Sequence, residues 1–179
     1  MEDLNFHKVK KLFFLISFFL IHSVYSFAQN FSLEEQVKLN DPWGSSFLNN
    51  NELILTEKSG KIKIANIITK EVFEVDHNLN FIEHGQGGLL DILFKDNFVY
   101  IAYTENRGNM KTSTSIAKAS FNKKKLDFKN IFQAEPPINS GYHFGSRLAI
   151  KDNYLFASAG ERGQGMIAQD PSKHPGSTV

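Results

Sequence analysis

The chain contains no cysteine. No disulfide can brace it, so its stability must come from burial or from a metal held by oxygens. It also lacks a Rossmann glycine pattern ahead of a helix, a P-loop and a nucleophile elbow, which removes the usual signatures of nucleotide binding and serine hydrolysis. Charge of one sign is missing too. Three of the 20 basic residues and two of the 19 acidic ones precede Gln29, leaving 17 of each in the remainder. A neutral chain has no long-range field to steer phosphates, so nucleic acid is not an expected partner. The one basic run, Lys123-Lys124-Lys125, reads as a solvated turn between strands. Helical periodicity is nearly absent: only Leu33-Glu34-Glu35-Gln36-Val37 hints at a helix, and it is too short to matter.

What is present begins with a leader. Lys8, Lys10 and Lys11 form a basic segment, Leu12 to Ile21 is almost wholly apolar, and Ser26-Phe27-Ala28 places small residues where a signal peptidase looks. That is the layout of a secretory signal over residues 1–28, cleaved after Ala28. A permanent membrane anchor is the weaker reading, because the apolar run is about half of the roughly 20 residues a spanning helix needs. The expectation is an exported, periplasmic protein with no stable membrane insertion after cleavage.

From Gln29 onward, short blocks of β-branched and aromatic residues alternate with turn residues. Leu53–Thr56, Ile62–Ile67, Phe98–Tyr103 and Tyr154–Ala157 are separated by Asn49-Asn50-Asn51, Ser59-Gly60, Lys95-Asp96-Asn97 and Lys151-Asp152-Asn153. This pattern predicts an all-β fold. It also repeats. Gly44–Gly60, Gly88–Asn106 and Gly145–Gly163 each run glycine, apolar strand, Asn/Asp turn and a second strand, at spacings of 44 and 57 residues. A period of about 40–50 residues with four short strands per unit is that of a β-propeller blade. In the second unit, Ser113–Phe121 and Leu126–Phe132 are expected to supply the outer two strands, with a long loop at Glu105–Lys111, and no outer strands are expected after the third. Residues 29–179 make about three blades, fewer than the roughly four to eight needed for closure. The expectation is the N-terminal part of a longer propeller.

Three glycine-rich lips stand out: Gly85-Gln86-Gly87-Gly88-Leu89-Leu90-Asp91, Gly141-Tyr142-His143-Phe144-Gly145-Ser146-Arg147-Leu148 and Gly160-Glu161-Arg162-Gly163. Each sets a polar residue beside an apolar strand, and they are expected to converge on one site. With Pro42-Trp43-Gly44, Leu55–Gly60 and Ala168–Ser172, they fall in the order seen in the soluble glucose/sorbosone dehydrogenases, which the chain resembles from about Asp41 to Gly176. Within that family it is most similar to the aldose sugar dehydrogenases that use pyrroloquinoline quinone.

The resemblance implies a six-bladed propeller that oxidises an aldose at C1 to the lactone, with the quinone as hydride acceptor and calcium holding and polarising it. It makes His143 the general base, Gln86 a sugar contact, and Glu161 the acid that supports the histidine. Relatives read Gly-Asp-Arg-Gly where this chain reads Gly160-Glu161-Arg162-Gly163, so an extra methylene must be absorbed there. Quinone-binding residues and calcium ligands are expected beyond Val179, and the electron acceptor is unknown.

The chemistry agrees with these roles. An imidazole, with an unperturbed pKa of about 6.5, suits removal of a hydroxyl proton. A nearby carboxylate fixes its tautomer, and a glutamine offers a donor and an acceptor to adjacent sugar hydroxyls. Arg147 reads as a structural ion-pair partner, and Asp91 and Asp170 as ligands of neighbouring backbone. The other histidines show no metal-ligand spacing. Two alternatives stay open: a propeller that binds carbohydrate or protein without catalysis, and an inactive remnant.

Overall fold

The computed structural model describes residue 10 and residues 31–179. The chain divides into two compact units, residues 1–34 and 35–179. The first unit, with the expected leader, lies almost wholly outside the described residues. Among the described residues no helix is long and apolar enough to cross a membrane, and Leu33–Val37 forms no helix.

The second unit is β apart from one 3-10 turn at Gly165–Gln169. Its strands are β1 (Pro42–Phe47), β2 (Glu52–Glu57), β3 (Lys61–Asn66), β4 (Val72–His77), β5 (Leu89–Lys95), β6 (Phe98–Asn106), β7 (Thr112–Ser120), β8 (Lys125–Leu126), β9 (Lys129–Gln133), β10 (Gly145–Lys151), β11 (Tyr154–Ala159) and β12 (Ser177–Thr178). They form three sheets, ordered β1-β2-β3-β4-β8, β5-β6-β7-β9 and β10-β11-β12. The first strands of successive sheets pack against each other, β1 on β5 and β5 on β10. That is the arrangement of consecutive propeller blades, an arc that is not closed.

The Asn/Asp turns behave as their residues dictate. Asp96 and Asn97 have φ of +50° and +63°, and Asp152 and Asn153 have +49° and +66°. Two consecutive left-handed residues make the two-residue hairpin turn whose twist matches paired strands, and Asn and Asp tolerate that conformation best after glycine.

The repeat is set by a bulge rather than by a glycine. Each blade's first strand carries an extra residue: between Pro42 and Ser45, between Leu89 and Ile92, and between Gly145 and Leu148. Aligned on the bulges, the units are 47 and 56 residues apart instead of 44 and 57. The bulge reverses the pleat's parity. Leu89, Ile92 and Phe94 therefore join the core between the first two blades, while Leu90 and Leu93 face the third. Likewise Val99, Ile101 and Tyr103 belong to the first core and Ala102 to the second, so the middle sheet is buried on both faces.

Two strand expectations need correction. Leu126–Phe132 is not one strand: Lys125-Leu126 crosses over to pair in parallel with Asp76-His77 of the first blade, and only Lys129–Gln133 returns to β7. Asn78 makes the break, its side chain accepting from the Phe128 N–H at 2.7 Å and donating to the Phe128 carbonyl at 3.2 Å. The third sheet does gain an edge, since Ser177-Thr178 pairs with Ser158-Ala159.

Candidate active site

The three lips do meet. Gln86 sits at the tip of a tight turn closed by reciprocal backbone bonds between His84 and Gly87, of 3.2 and 2.9 Å. The first tip residue, Gly85, has φ +61°, a conformation that glycine adopts without a side-chain clash. Lys58, from the β2–β3 turn, donates to the Gly85 carbonyl at 3.2 Å and pairs with Glu83 at 3.3 Å. The Gln86 N–H donates to the Gly141 carbonyl at 2.8 Å, which ties this turn to the segment leading into His143.

His143 is itself left-handed, with φ +47°. Such a residue persists only where its surroundings over-determine it. Here the His143 N–H donates to Gln86 Oε1 at 2.9 Å, and its carbonyl accepts the Arg162 N–H at 3.2 Å. Gly160 lies against that carbonyl so closely that a Cβ on Gly160 would stand 2.0 Å from the His143 oxygen.

The ring of His143 bonds through Nδ1 to Glu161 Oε1. That bond is the main reason the Glu161 carboxyl is held below its ordinary value of 4.5, with the Gly163 N–H at 3.3 Å adding to it. Glu161 is therefore a carboxylate at neutral pH and can only accept, so neutral His143 carries its proton on Nδ1. Nε2 keeps its lone pair, and no hydrogen bond within the described residues engages it. The side chain is 54% exposed, against 29% for Glu161, so the imidazole faces outward and its partner lies beneath it. The longer glutamate reaches the ring, so the extra methylene is accommodated.

Arg162 is the residue that sequence reasoning passed over. Nothing in the string Gly160-Glu161-Arg162-Gly163 marks the arginine for burial, yet Arg162 is 3% exposed. Its guanidinium donates to the Tyr142 carbonyl at 3.0 Å, to the Thr112 carbonyl at 3.1 Å, to Thr112 Oγ1 at 2.7 Å and to the Ser140 carbonyl. It also stacks on Phe144, 3.6 Å from the ring centroid. Burial pushes its pKa down to about 10, so it remains charged at neutral pH.

Arg147 and Asp91 take the structural roles expected of them. Asp91 Oδ2 accepts the Leu148 N–H at 2.8 Å and meets Arg147 Nη1 at 3.3 Å, bonding the second blade to the third. Asp170 caps its own turn, accepting from the Ser172 N–H at 3.0 Å and Ser172 Oγ at 2.6 Å. His84 does not join His143. It lines a cleft of about 170 Å³ with Asn106, Met110 and Thr112, next to the Gln86 turn.

The arrangement can take a proton from a ligand hydroxyl at His143 Nε2. It can also donate from the Gln86 amide, whose oxygen is already used on the His143 backbone. Among the described residues no group of three or more His, Cys, Asp or Glu side chains could hold a metal.

Known proteins resemble this chain in sequence and in fold. The glucose/sorbosone dehydrogenase family model matches residues 39–179. The aldose sugar dehydrogenase YliI of Escherichia coli K12 is 30% identical over 154 residues, covering 80% of this chain and 42% of the relative. The apo crystal structure of the soluble aldose sugar dehydrogenase from Escherichia coli superposes with a TM-score of 0.74 at 29% identity, covering 79% of this chain and 44% of that one. A pyrroloquinoline-quinone-bound aldose sugar dehydrogenase from Streptomyces coelicolor shares the fold, with a TM-score of 0.72 at 24% identity, covering 82% and 46%. The chain thus spans less than half the length of these relatives.

Proposed function

The chain belongs to the glucose/sorbosone dehydrogenase family, and from that premise we propose that it carries the proton-accepting half of an exported aldose dehydrogenase. The observation that carries the reading is the joined triad: Gln86 on the His143 N–H at 2.9 Å, and Glu161 on His143 Nδ1.

In this reading the sugar's C1 hydroxyl gives its proton to His143 Nε2 as the C1–H bond is broken, leaving the lactone. Glu161 holds the ring in the tautomer that exposes Nε2 and favours the imidazolium as it forms, an electrostatic effect aimed at charge that develops only during the reaction. The Gln86 amide donates to a ring hydroxyl and keeps C1 over the imidazole. Pyrroloquinoline quinone, bound in the Streptomyces coelicolor relative, would supply a two-electron acceptor for the C1 hydride. The residues of this lip fit the sugar side of that reaction. Among the described residues no group of three or more His, Cys, Asp or Glu side chains could hold a metal, and calcium enters none of these steps.

The test uses the complete gene product, supplied with the quinone and calcium, and follows dye reduction with a panel of aldoses. Activity that requires the quinone and falls ~10²–10⁴-fold in His143→Ala supports the dehydrogenase and the base. Failure to bind the quinone would favour a non-catalytic carbohydrate- or protein-binding propeller.

A further inference from the structure

We infer that Arg162 is the positioning residue of this site, a buried cation that fixes the His143 backbone and acts on the reaction only through the histidine. The inference rests on the dehydrogenase reading above and extends it to a residue without access to substrate.

Arg162 is 3% exposed, and among the described residues no carboxylate pairs with it. A buried guanidinium without a counter-ion is costly unless its donors are satisfied, and here four bonds engage all three of its nitrogens. The destinations are what matter. The Ser140 and Tyr142 carbonyls belong to the segment entering His143, whereas Thr112 begins β7 of the neighbouring blade. The backbone N–H of Arg162 adds a bond to the His143 carbonyl at 3.2 Å. One side chain thus anchors the left-handed His143 (φ +47°) to a rigid sheet, and Phe144, the next residue, supplies the ring on which the guanidinium stacks. A lysine would keep the charge but not the planar fork that reaches all three backbone oxygens.

The test compares wild type, Arg162→Lys and the milder Thr112→Val, which removes one acceptor of the fork together with the 3.3 Å bond from Thr112 Oγ1 to the Ile138 carbonyl. The first readout needs no activity: ¹⁵N NMR of the His143 ring in protein without quinone. Wild type should show a proton held on Nδ1 by Glu161, and both variants should lose or weaken that signature, Arg162→Lys more. The second readout is kinetic. Arg162→Lys should lower kcat by about 10²-fold, the order expected when a catalytic group is misplaced by about 1 Å, while KM stays within about twofold. In a His143→Ala background the same substitution should cost nothing further.

An unchanged Nδ1 signature in both variants would overturn the inference. So would an equal kcat loss with and without His143, which would mark a merely structural arginine. If Arg162→Lys does not fold, Thr112→Val decides by the same NMR readout. A wild-type protein that reduces no dye with any aldose would count against the dehydrogenase reading alone, because the NMR comparison still decides the role of Arg162.

Discussion

Glu161 and His143 come from loops 18 residues apart and share one hydrogen bond. Because the Glu161 carboxyl is held below 4.5 chiefly by that bond, the folded state binds its proton less readily than the unfolded chain does. The resulting stability is fully present above the unfolded value and is lost as pH falls through the lower folded value. It should be small, about 0–1 kcal/mol, since the pair is open to solvent. Glu161→Gln should therefore barely move the thermal midpoint at pH 7 and should remove part of the stability difference between pH 7 and pH 3. The same substitution should lower aldose oxidation far more than it lowers stability, because an amide neither fixes the Nδ1 proton as firmly nor favours the imidazolium. Thermal unfolding at both pH values and steady-state kinetics check the two halves of this prediction.

At the scale of the strand, the bulge does the positioning. It puts one extra residue into β1, β5 and β10 at equivalent places. In the last of these the strand therefore begins directly after the His143 lip, with Gly145 and Ser146 left-handed at φ +73° and +91°. Gly160, where β11 ends, completes the lip by leaving room for the His143 carbonyl. Gly160→Ala would place a methyl 2.0 Å from that oxygen, so the backbone must move. The expected cost is about 1–3 kcal/mol, typical of overpacking, together with loss of sugar oxidation. Denaturant unfolding and dye reduction measure the two effects, and an active, fully stable Gly160→Ala would show that the lip is softer than its packing indicates.

At the largest scale, two apolar cores among the described residues lie on either face of the middle blade. Leu90 is completely buried and packs with Phe144, Leu148 and Ala157 of the third blade. Leu90→Ala should cost about 2–5 kcal/mol, read from chemical denaturation, and should loosen the seam across which Asp91 grips Leu148. The Gln86 and His143 lips meet across that seam, so in the proposed reading aldose oxidation should fall with stability in this variant, unlike Glu161→Gln. The proposed leader over residues 1–28 predicts a mature N-terminus at Gln29, which intact mass determination tests directly. A mature protein that retains residues 1–28 would replace the cleaved leader with a membrane anchor.

The residues determined much of this by themselves. Alternation of apolar and polar types with Asn/Asp turns fixes an all-β chain, because those turns demand the left-handed pairs that Asp96-Asn97 and Asp152-Asn153 adopt. Repetition of the unit indicates blades, and the glycine-rich strings single out Gln86, His143 and Glu161. Such features are local, and local chemistry is legible in a string. Three others were not. The bulges shift the repeat off its glycines, since parity within a strand depends on what it pairs with. Lys125-Leu126 leaves its own sheet for another because Asn78, about 50 residues away, captures Phe128. Arg162, charged and set in a glycine-containing loop, is buried because the segment entering His143 and the start of β7 meet around it and present three carbonyls and a hydroxyl to its guanidinium. Pairing, crossing and burial are relations between distant segments, and only the tertiary structure brings those segments together.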